Sequence, residues 1–347
     1  MKLLILTQKI DVNDPILGFF HRWVEEFSKN FEQITVICLQ KGEYNLPQNT
    51  KILSLGKENF RLFQKFKYLF NFWKYIWQER KTYDFVFVHM NQEYVLLGGI
   101  FWKLFGKKIY IWRNHHAGSF LTDVAVAFCE KVFCTSKYSY TAKYKKTVLM
   151  PVGIDTNKFI KLESSKVNKI RNSILFIGRI SPSKNIHLFI EALGILKDEG
   201  ISFTANIYGD ASPDDILYFE KLTLRARELG LEDILKFQKG VPNHRTPEIY
   251  NSHEIFVNLS SSGMYDKTIF EAMACGGLVL ASNDNLRDQI DDRLVINNRK
   301  AEEVATRLTM ILALLEEEKQ KIISDNIKFA ETHSLNHLSE KLLVMME

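Results

Sequence analysis

Two cations in one loop are the first residues of this chain whose types and spacing suggest a chemical role. Arg179 and Lys184 stand in the sequence GRISPSKN, after the apolar run 174–177 and before a segment with helical periodicity. Because a helix N-terminus carries partial positive charge, two cations beside one can hold a diphosphate. Basic pairs are also common on protein surfaces, so this loop alone does not identify a ligand.

A second segment, 260–282, combines a loop, a helix and a strand in the sequence SSSGMYDKTIFEAMACGGLVLAS. Its small first residues favour a loop in which backbone N–H groups can face a ligand. Helical composition begins at Asp266, and Lys267 and Glu271, four positions apart, share one helix face. Gly276 predicts the end of that helix. A loop that leads into a helix N-terminus is typical of an anion site, and a surface Lys267–Glu271 pair on an ordinary helix is the alternative.

The first half of the chain offers weaker candidates. Gly18 stands where a polar loop enters a helix, so its backbone can approach a phosphate, although no complete G-x-G-x-x-G is present and a plain tight turn is the alternative. His115 and His116 follow the predicted strand 109–112, where α/β sheets place ligand-binding loops. A metal site would need more ligands at fixed spacing. A hydrogen bond to substrate is therefore the functional interpretation, and a structural histidine is the alternative.

The candidate residues all follow segments that we predict to be strands. Continuous apolar runs are typical of a parallel sheet that helices cover on both faces. The predicted strands are 3–6, 34–39, 85–89, 109–112, 131–136, 174–177, 204–208, 235–237, 255–259 and 278–280. A loop is predicted at 7–17 and a linker at 151–166. Two such α/β units joined by a hinge imply a cleft.

Length and composition agree with two folded domains. The chain has 347 residues, of which 46% are hydrophobic and 25% charged, and its net charge is +5. This modest charge permits a nucleotide, a nucleic acid or a lipid headgroup as partner without choosing among them. The four cysteines lack C-x-x-C spacing, so we expect reduced thiols in a cytoplasmic protein. The N-terminal MKLLILT has no signal-peptide cleavage site and fits a first strand.

A basic and aromatic segment at 57–81 suggests contact with a membrane. It interleaves two kinds of side chain: Lys57, Arg61, Lys65, Lys67 and Lys74 with Phe60, Phe63, Phe66, Phe70, Trp73 and Trp77. The pattern suits an interfacial helix on an anionic membrane surface. A core-packed helix with solvated lysines is the alternative. Nucleic-acid binding is not predicted, because no recognisable RNA- or DNA-binding module accompanies the segment.

Taken in order, these motifs resemble the retaining glycosyltransferases of family 4. The resemblance covers nearly the whole chain, through LLILTQKIDVNDPILGFFHRW, IYIWRNHH, VLMPVGIDTNKF, FIGRISPSKN, IYGD and DKTIFEAMACGGLVLAS. It implies the GT-B fold, an α/β architecture of two Rossmann-like domains that face each other across a cleft. The implied domains are an acceptor-binding domain at 1–155 and a nucleotide-sugar-binding domain at 156–330. A terminal helix within 331–347 would cross back to the N-terminal domain.

The resemblance also implies roles for single residues in the second half. Arg179 and Lys184 match the cations that bind the diphosphate of the donor and stabilise the leaving group. Glu271 matches the second glutamate of a paired-glutamate motif, which holds the ribose hydroxyls. The other residues assigned to the donor site in this half are Gly209, Val241, Gly263, Met264, Tyr265, Lys267 and Thr268.

In the first half the resemblance assigns two positions. Gly18 matches the glycine whose backbone approaches the donor phosphates. His115 matches the histidine that faces the transferred sugar, and the adjacent His116 is the alternative.

One position departs from the family pattern. The first glutamate of the pair lies eight positions before the second, and 271 − 8 gives Gly263. In this respect the chain resembles a subset of these enzymes that lacks the first glutamate. That glutamate contacts the donor sugar in the family, so the identity of the sugar stays open. Backbone N–H groups around 263–265 can bind either sugar hydroxyls or phosphate, and Lys267 can add a third cation to the diphosphate.

The resemblance predicts an enzyme, a hexosyltransferase that retains the anomeric configuration. It would move a sugar from a nucleoside diphosphate-sugar to an acceptor hydroxyl on a saccharide or lipid-linked acceptor, in the assembly of a cell-surface polysaccharide or glycolipid. No cofactor or divalent metal is expected, because two cations can serve the diphosphate and no Asp-x-Asp motif lies in these loops. A sugar-nucleotide epimerase of the same fold and a non-catalytic membrane- or glycan-binding protein are the alternatives. We expect a cytoplasmic protein, either free or attached peripherally to the inner face of the membrane.

Overall fold

The computed structural model describes residues 1–14, 16–58, 64–163, 167–260 and 263–347. The chain forms two compact units, each built on a parallel sheet. The first contains Met1–Gly153, Pro242–His244 and Leu335–Glu347, and the second contains Ile154–Val241 and Arg245–Ser334. Four predicted segments lie in part outside the described residues: 7–17, 57–81, 151–166 and 260–282. Phe60, Arg61 and Phe63 of the basic and aromatic segment are among the residues outside this range.

The first sheet has seven parallel strands in the order β3-β2-β1-β4-β5-β6-β7. Their bounds are β1 Lys2–Ile10, β2 Gln33–Lys41, β3 Thr50–Ser54, β4 Phe85–His89, β5 Lys108–Trp112, β6 Lys131–Cys134 and β7 Thr147–Leu149. β1 extends beyond its apolar run because Thr7 and Lys9 pair with Cys38 and Gln40 of β2. The predicted loop at 7–17 is therefore wrong in its first part, since ladder hydrogen bonds continue a central strand into polar sequence.

The second sheet has five parallel strands in the order β10-β9-β8-β11-β12. Their bounds are β8 Ile170–Ile177, β9 Thr204–Tyr208, β10 Leu235–Gln238, β11 His253–Asn258 and β12 Leu278–Ala281. Every residue of β11 and of β12 is buried, as expected where helices cover both faces of a parallel sheet. The strands predicted in this half are confirmed.

Helices cover both faces of each sheet. Their bounds are α1 Gly18–Phe27, α2 Gln64–Glu79, α3 Gln92–Leu104, α4 Phe120–Phe128, α5 Ile186–Asp198, α6 Ile216–Glu228, α7 Thr246–Ser252, α8 Lys267–Ala274, α9 Ala301–Leu312, α10 Glu316–Glu331 and α11 Leu335–Met346. In β1, Leu3 and Ile5 pack with α1 and α11, whereas Leu4 and Leu6 pack with α2 and α3. This alternation follows from the two-residue period of a strand.

The C-terminal helix α11 belongs to the first unit. Asn30 donates a hydrogen bond to Ser339 Oγ over 2.8 Å, and Tyr110 donates one to the carbonyl of Met346 over 3.2 Å. Within the described residues, no helix is long and apolar enough to cross a membrane. In both units the strands are parallel, so the loops after them collect at the carboxyl edge of each sheet, where the candidate residues lie.

Candidate functional site

The loops after β8 and β9 in the second unit approach each other backbone to backbone. The Gly178 N–H donates to the carbonyl of Tyr208 over 3.0 Å, and a Cβ atom at Gly209 would collide with the carbonyl oxygen of Gly178. This close approach alone requires glycine at position 209. Val241 is half-buried in the loop after β10, the neighbouring strand.

Arg179 is an exposed cation of this carboxyl edge. It directly follows Gly178, and no ion pair to its guanidinium occurs among the residues that the structure describes. A guanidinium that is not committed to a carboxylate keeps its fork of N–H donors for bidentate contact with phosphate oxygens. Arg179 therefore offers an open positive charge at the end of β8.

Lys184, in contrast, is already bound within the protein. Its ammonium pairs with the carboxylate of Asp266 and donates to Ser260 Oγ over 3.0 Å. The next residue, Asn185, has a left-handed backbone with φ of 52° and donates through its side chain to the carbonyl of Leu259 over 2.8 Å. The loop before α5 is therefore tied to the end of β11, and Lys184 is held at a fixed place.

Asp266 connects this lysine to the start of α8. As the N-cap of the helix it accepts from the Thr268 N–H over 3.4 Å and the Thr268 hydroxyl over 3.0 Å. Asn258 and Ser260 also donate to it, each over 3.2 Å. Burial alone would raise the pKa of the Asp266 carboxyl, but Lys184 and these hydrogen bonds hold the pKa well below its usual range. Asp266 is thus a fixed negative charge that keeps Lys184 in position.

Lys267 and Glu271 differ in their surroundings. Glu271 is buried, with 3% of its surface exposed, and the hydroxyl of buried Tyr250 donates to its Oε2 over 3.1 Å. The alternative of a surface Lys267–Glu271 pair is therefore wrong, because the carboxylate lies in the interior. Burial lowers the pKa of Lys267 to about 7, and the charge of Glu271 opposes this shift. Lys267 can therefore change its charge near neutral pH.

Two asparagines after β12 hold the backbone just before α8. Asn285 Nδ2 donates to the carbonyl of Gly263 over 2.7 Å, and Asn283 Nδ2 donates to that of Met264 over 2.8 Å. In a trans peptide the carbonyl and the following N–H point in opposite directions. The N–H groups of Met264 and Tyr265 therefore point away from the asparagines. Successive N–H groups near a left-handed residue, here Gly263 with φ of 67°, are typical of a backbone nest for anions or oxygens.

The predicted residues of the first unit lie at the carboxyl edge of its own sheet. Gly18 is buried at the start of α1, and a Cβ atom there would lie 3.0 Å from the carbonyl oxygen of Val12. His115 and His116 follow β5, are both exposed, and stack on each other with ring centroids 4.6 Å apart. β1 and β5 are separated in the sheet by β4, so the two predicted positions belong to different strand ends.

The structure thus brings Lys184 and the start of α8 into direct contact, beside the loop that carries Arg179. Sequence reasoning missed the partners in this cluster, which are Tyr250, Asn258, Asp266, Asn283 and Asn285. The Asp266 cap had a local signal, since aspartate immediately before a helical segment is typical of an N-cap. The contacts of Tyr250 and the asparagines join different secondary-structure elements and loops, and no local sequence pattern indicates them. Within the described residues, no group of three or more His, Cys, Asp or Glu side chains could hold a metal ion.

Residues 157–328, which include this cluster, match the sequence model of Glycosyl transferases group 1. These residues form a glycosyl transferases group 1 domain. Two curated proteins are similar to part of this chain, at 27% and 25% identity. Mannosylfructose-phosphate synthase of Agrobacterium fabrum is 27% identical over 147 residues, which are 40% of this chain and 32% of that protein. D-inositol 3-phosphate glycosyltransferase of Geodermatophilus obscurus is 25% identical over 188 residues, 50% of this chain and 42% of that protein. The chain therefore spans less than half of each of these relatives.

Solved structures agree with the whole fold. HepE of Anabaena in complex with UDP has a TM-score of 0.79 at 18% identity, with 100% of this chain and 99% of that chain covered. Sucrose-phosphate synthase of Thermosynechococcus elongatus has a TM-score of 0.76 at 15% identity, with 99% and 97% covered. The predicted GT-B fold, with two Rossmann-like domains, is confirmed. The group 1 domain corresponds to the second unit, in which Arg179, Lys184 and Glu271 lie.

Proposed function

We propose that this chain is a retaining glycosyltransferase of family 4, of the subset without the first paired glutamate. It would move a hexose-type sugar from a nucleoside diphosphate-sugar to an acceptor hydroxyl. The observation that carries the proposal lies in the group 1 domain: the loop after β8 holds one open cation, Arg179, and one fixed cation, Lys184, and Lys184 is bound to the N-cap of α8, the helix that carries the buried carboxylate Glu271. The names of the two relatives support it. One is named a synthase of mannosylfructose phosphate, and the other is named a glycosyltransferase.

The two cations suit the diphosphate of the donor. The exposed guanidinium of Arg179 would bind the phosphate oxygens. Lys184 would bind them as well, while it keeps its contact with Asp266. Charge builds on the departing phosphate as the bond to the sugar breaks, so preorganised positive groups stabilise the transition state more than the ground state. The HepE structure with UDP-glucose gives an example of a similar fold with a nucleotide-sugar bound.

The remaining donor contacts follow from the loops. Glu271 would accept hydrogen bonds from the ribose hydroxyls, with Tyr250 holding its carboxylate in place. The loops at Gly209 and Val241 would line the nucleobase pocket. The sugar would lie against the N–H groups at 263–265 and against Thr268, in place of the missing glutamate, and Lys267 would add a third cation to the diphosphate.

The chemistry needs no protein nucleophile in this proposal. The leaving phosphate accepts the proton of the acceptor hydroxyl as the new glycosidic bond forms on the same face of the sugar, so the anomeric configuration is retained. The roles of Gly18 with the donor phosphates and of His115, or His116, with the sugar are part of the same proposal. We propose no cofactor and no divalent metal, because Arg179 and Lys184 already offer the charges that a diphosphate requires.

The acceptor in this proposal is a saccharide or a lipid-linked saccharide in the assembly of a cell-surface glycan or glycolipid. The enzyme would be cytoplasmic and peripheral at the inner face of the membrane, with the segment 57–81 on the lipid side.

One assay tests the proposed reaction. A thermal-shift panel of nucleoside diphosphates and then nucleotide-sugars first identifies the donor, because a ligand stabilises the folded state that binds it. Release of nucleoside diphosphate is then measured with and without acceptor sugars. Release that requires an acceptor supports the transferase. Turnover of the donor without an acceptor would instead indicate an epimerase or a hydrolase, and no turnover with any bound donor would indicate a binding protein.

A further inference from the structure

Two neighbouring helices of the first unit expose apolar side chains that the proposed sugar-transfer site does not use. Four aromatic side chains lie along one stripe of α2 and are 40–76% exposed: Phe66, Phe70, Trp73 and Trp77. A different side of the same helix packs into the core, where Phe72 and Ile76 are 1% and 2% exposed. The core is therefore filled without the four aromatic side chains of the exposed stripe.

A second stripe on α3 continues this surface. Its four apolar side chains recur at helical spacing and are 38–76% exposed: Leu97, Ile100, Phe101 and Leu104. The two stripes touch, because the rings of Trp73 and Phe101 lie 6.3 Å apart and Trp73 Nε1 donates to the carbonyl of Leu97 over 3.1 Å. We call the eight side chains together the α2–α3 face. Monomeric soluble proteins rarely expose a continuous apolar patch of this kind without a partner.

The charges beside the face are mainly positive. Lys67 and Lys74 are exposed, and each directly follows an aromatic residue of the α2 stripe. Arg80 lies over the Trp77 ring at 4.4 Å. Of the acidic residues on these two helices, Glu79 is buried and paired with Lys51, and Glu93 is a single exposed carboxylate in the first turn of α3, four residues before Leu97. Two copies joined face to face would bring these lysines together, which disfavours a second copy as the partner.

We propose that the α2–α3 face docks on a membrane surface that contains anionic lipids. Tryptophan and phenylalanine side chains enter the boundary between headgroups and acyl chains, while lysines beside them remain at the phosphate level. The inference deepens the proposed function and rests on it in one respect, since a lipid-linked acceptor would lie in the same membrane. It differs from the sequence-based prediction because α3, which carries no basic and aromatic repeat, supplies half of the face.

Vesicle flotation of the full chain tests the docking surface. We expect the protein to float with vesicles of phosphatidylcholine and phosphatidylglycerol and to float weakly with phosphatidylcholine alone. The double substitution Phe66→Ser with Phe70→Ser should weaken binding about tenfold or more, because two large apolar side chains no longer enter the lipid. Leu104→Ser should weaken binding to these vesicles several fold. The control is Leu217→Ser, which replaces an equally apolar side chain that is 71% exposed but lies on α6 of the second unit, and it should leave binding unchanged.

The lysines beside the face are tested separately. Lys67→Gln and Lys74→Gln should each weaken binding to the anionic vesicles about fivefold at low salt.

The result can overturn the proposal in three ways. Wild-type protein that stays unbound with both vesicles, or binding that Phe66→Ser with Phe70→Ser leaves unchanged, excludes the lipid surface. A concentration-dependent dimer that the same variant abolishes, without vesicle binding, makes a second copy the partner. Thermal unfolding verifies that each variant is folded. Flotation needs no donor or acceptor, so its failure leaves the proposed sugar transfer standing, and a vesicle-bound protein without transferase activity removes only the latter.

Discussion

The carboxyl edges of the two sheets differ in how they hold their polar groups. In the second unit, Lys184 is bound by Asp266 and Ser260, and Glu271 is buried against Tyr250. In the first unit, His115 is exposed, and its ring nitrogen contacts the backbone of Ala117 at 3.0 Å. The polar side chains of the second edge are thus held by one another within the folded chain, as a network, whereas the histidine side chains of the first edge are exposed. Substitutions in the network should therefore change stability and activity together, and substitutions in the loop should change activity alone.

The same difference appears within the second edge, between its two cations. Lys184 is fixed by a carboxylate, whereas Arg179 is exposed. A fixed cation is preorganised for a developing charge, but part of its charge is already neutralised by Asp266. An exposed guanidinium is not neutralised, but it must be ordered when the ligand binds. Substitutions at the two positions therefore distinguish the contribution of a preorganised charge, that of Lys184, from the contribution of an exposed charge that no carboxylate neutralises, that of Arg179.

The largest effect is expected for Lys184→Ala. In the proposed reaction the variant loses a phosphate contact, and it also leaves the half-buried Asp266 carboxylate without its cation. We expect kcat/KM to fall about a hundredfold or more and the free energy of unfolding to fall by about 1–3 kcal/mol. Initial rates at several donor concentrations and chemical denaturation measure the two losses.

A second variant separates these two effects. Adding Asp266→Asn to Lys184→Ala removes the unpaired charge, so it should restore most of the stability while activity stays low. If Lys184→Ala is as stable as the wild type, the ion pair does not hold the network and the contrast with the first unit fails.

Arg179→Ala should reduce activity without reducing stability. Loss of one charge-assisted contact to phosphate is worth roughly 1.5–3 kcal/mol, which corresponds to about a tenfold to hundredfold fall in kcat/KM. Because the guanidinium is exposed, the melting temperature should stay within about a degree of the wild type. Arg171→Ala, an exposed arginine within β8, is the matched control and should leave both quantities unchanged. Full turnover by Arg179→Ala would remove this residue from the site.

His115→Ala tests the open loop of the first unit. We expect kcat to fall about tenfold, as for loss of a polar contact to the reacting sugar, with no change in thermal unfolding. His116→Ala serves as the comparison, because both rings are exposed and stack on each other. A larger fall for His116→Ala would exchange the two assignments, and normal rates for both would show that the loop is not catalytic.

The pH dependence of donor binding tests Lys267, in the network. Its pKa of about 7 means that the ammonium is mostly charged at pH 6 and mostly neutral at pH 8. If the charged form binds the diphosphate, affinity is greatest below pH 7 and falls about tenfold as the pH rises from 6 to 8. Calorimetric titration with a nucleotide-sugar measures this, because its diphosphate diester does not titrate in that window. The slope should disappear in Lys267→Met, and a wild-type affinity that is constant over this range contradicts the assignment.

Much of the fold could be predicted from the sequence, because buried parallel strands are continuous apolar runs. The strands β3 and β7 were not predicted, since both are edge strands whose residues are half-exposed and lack such a run. The site was predicted only in part. Arg179, Lys184 and Glu271 stand in local motifs, but the partner of Lys184 lies 82 residues away in the chain. Pairings over such distances depend on strand order, which local periodicity does not specify.

The smallest effect is expected at Asn285, whose amide holds the Gly263 carbonyl at 2.7 Å. Asn285→Ala removes one hydrogen bond that orients the loop, so KM for the donor should rise about fivefold. The affinity for the nucleoside diphosphate alone should stay the same, because the N–H groups at 264 and 265 are proposed to bind the sugar rather than the phosphates.

The two ligands separate the possible roles of Asn285. If the variant lost affinity for both, Asn285 would stabilise the network as a whole rather than orient the loop for the sugar. Asn285→Gln, whose longer side chain keeps an amide near the loop, should recover part of the donor affinity. If Asn285→Ala binds the nucleotide-sugar as tightly as the wild type, the backbone nest does not replace the missing glutamate.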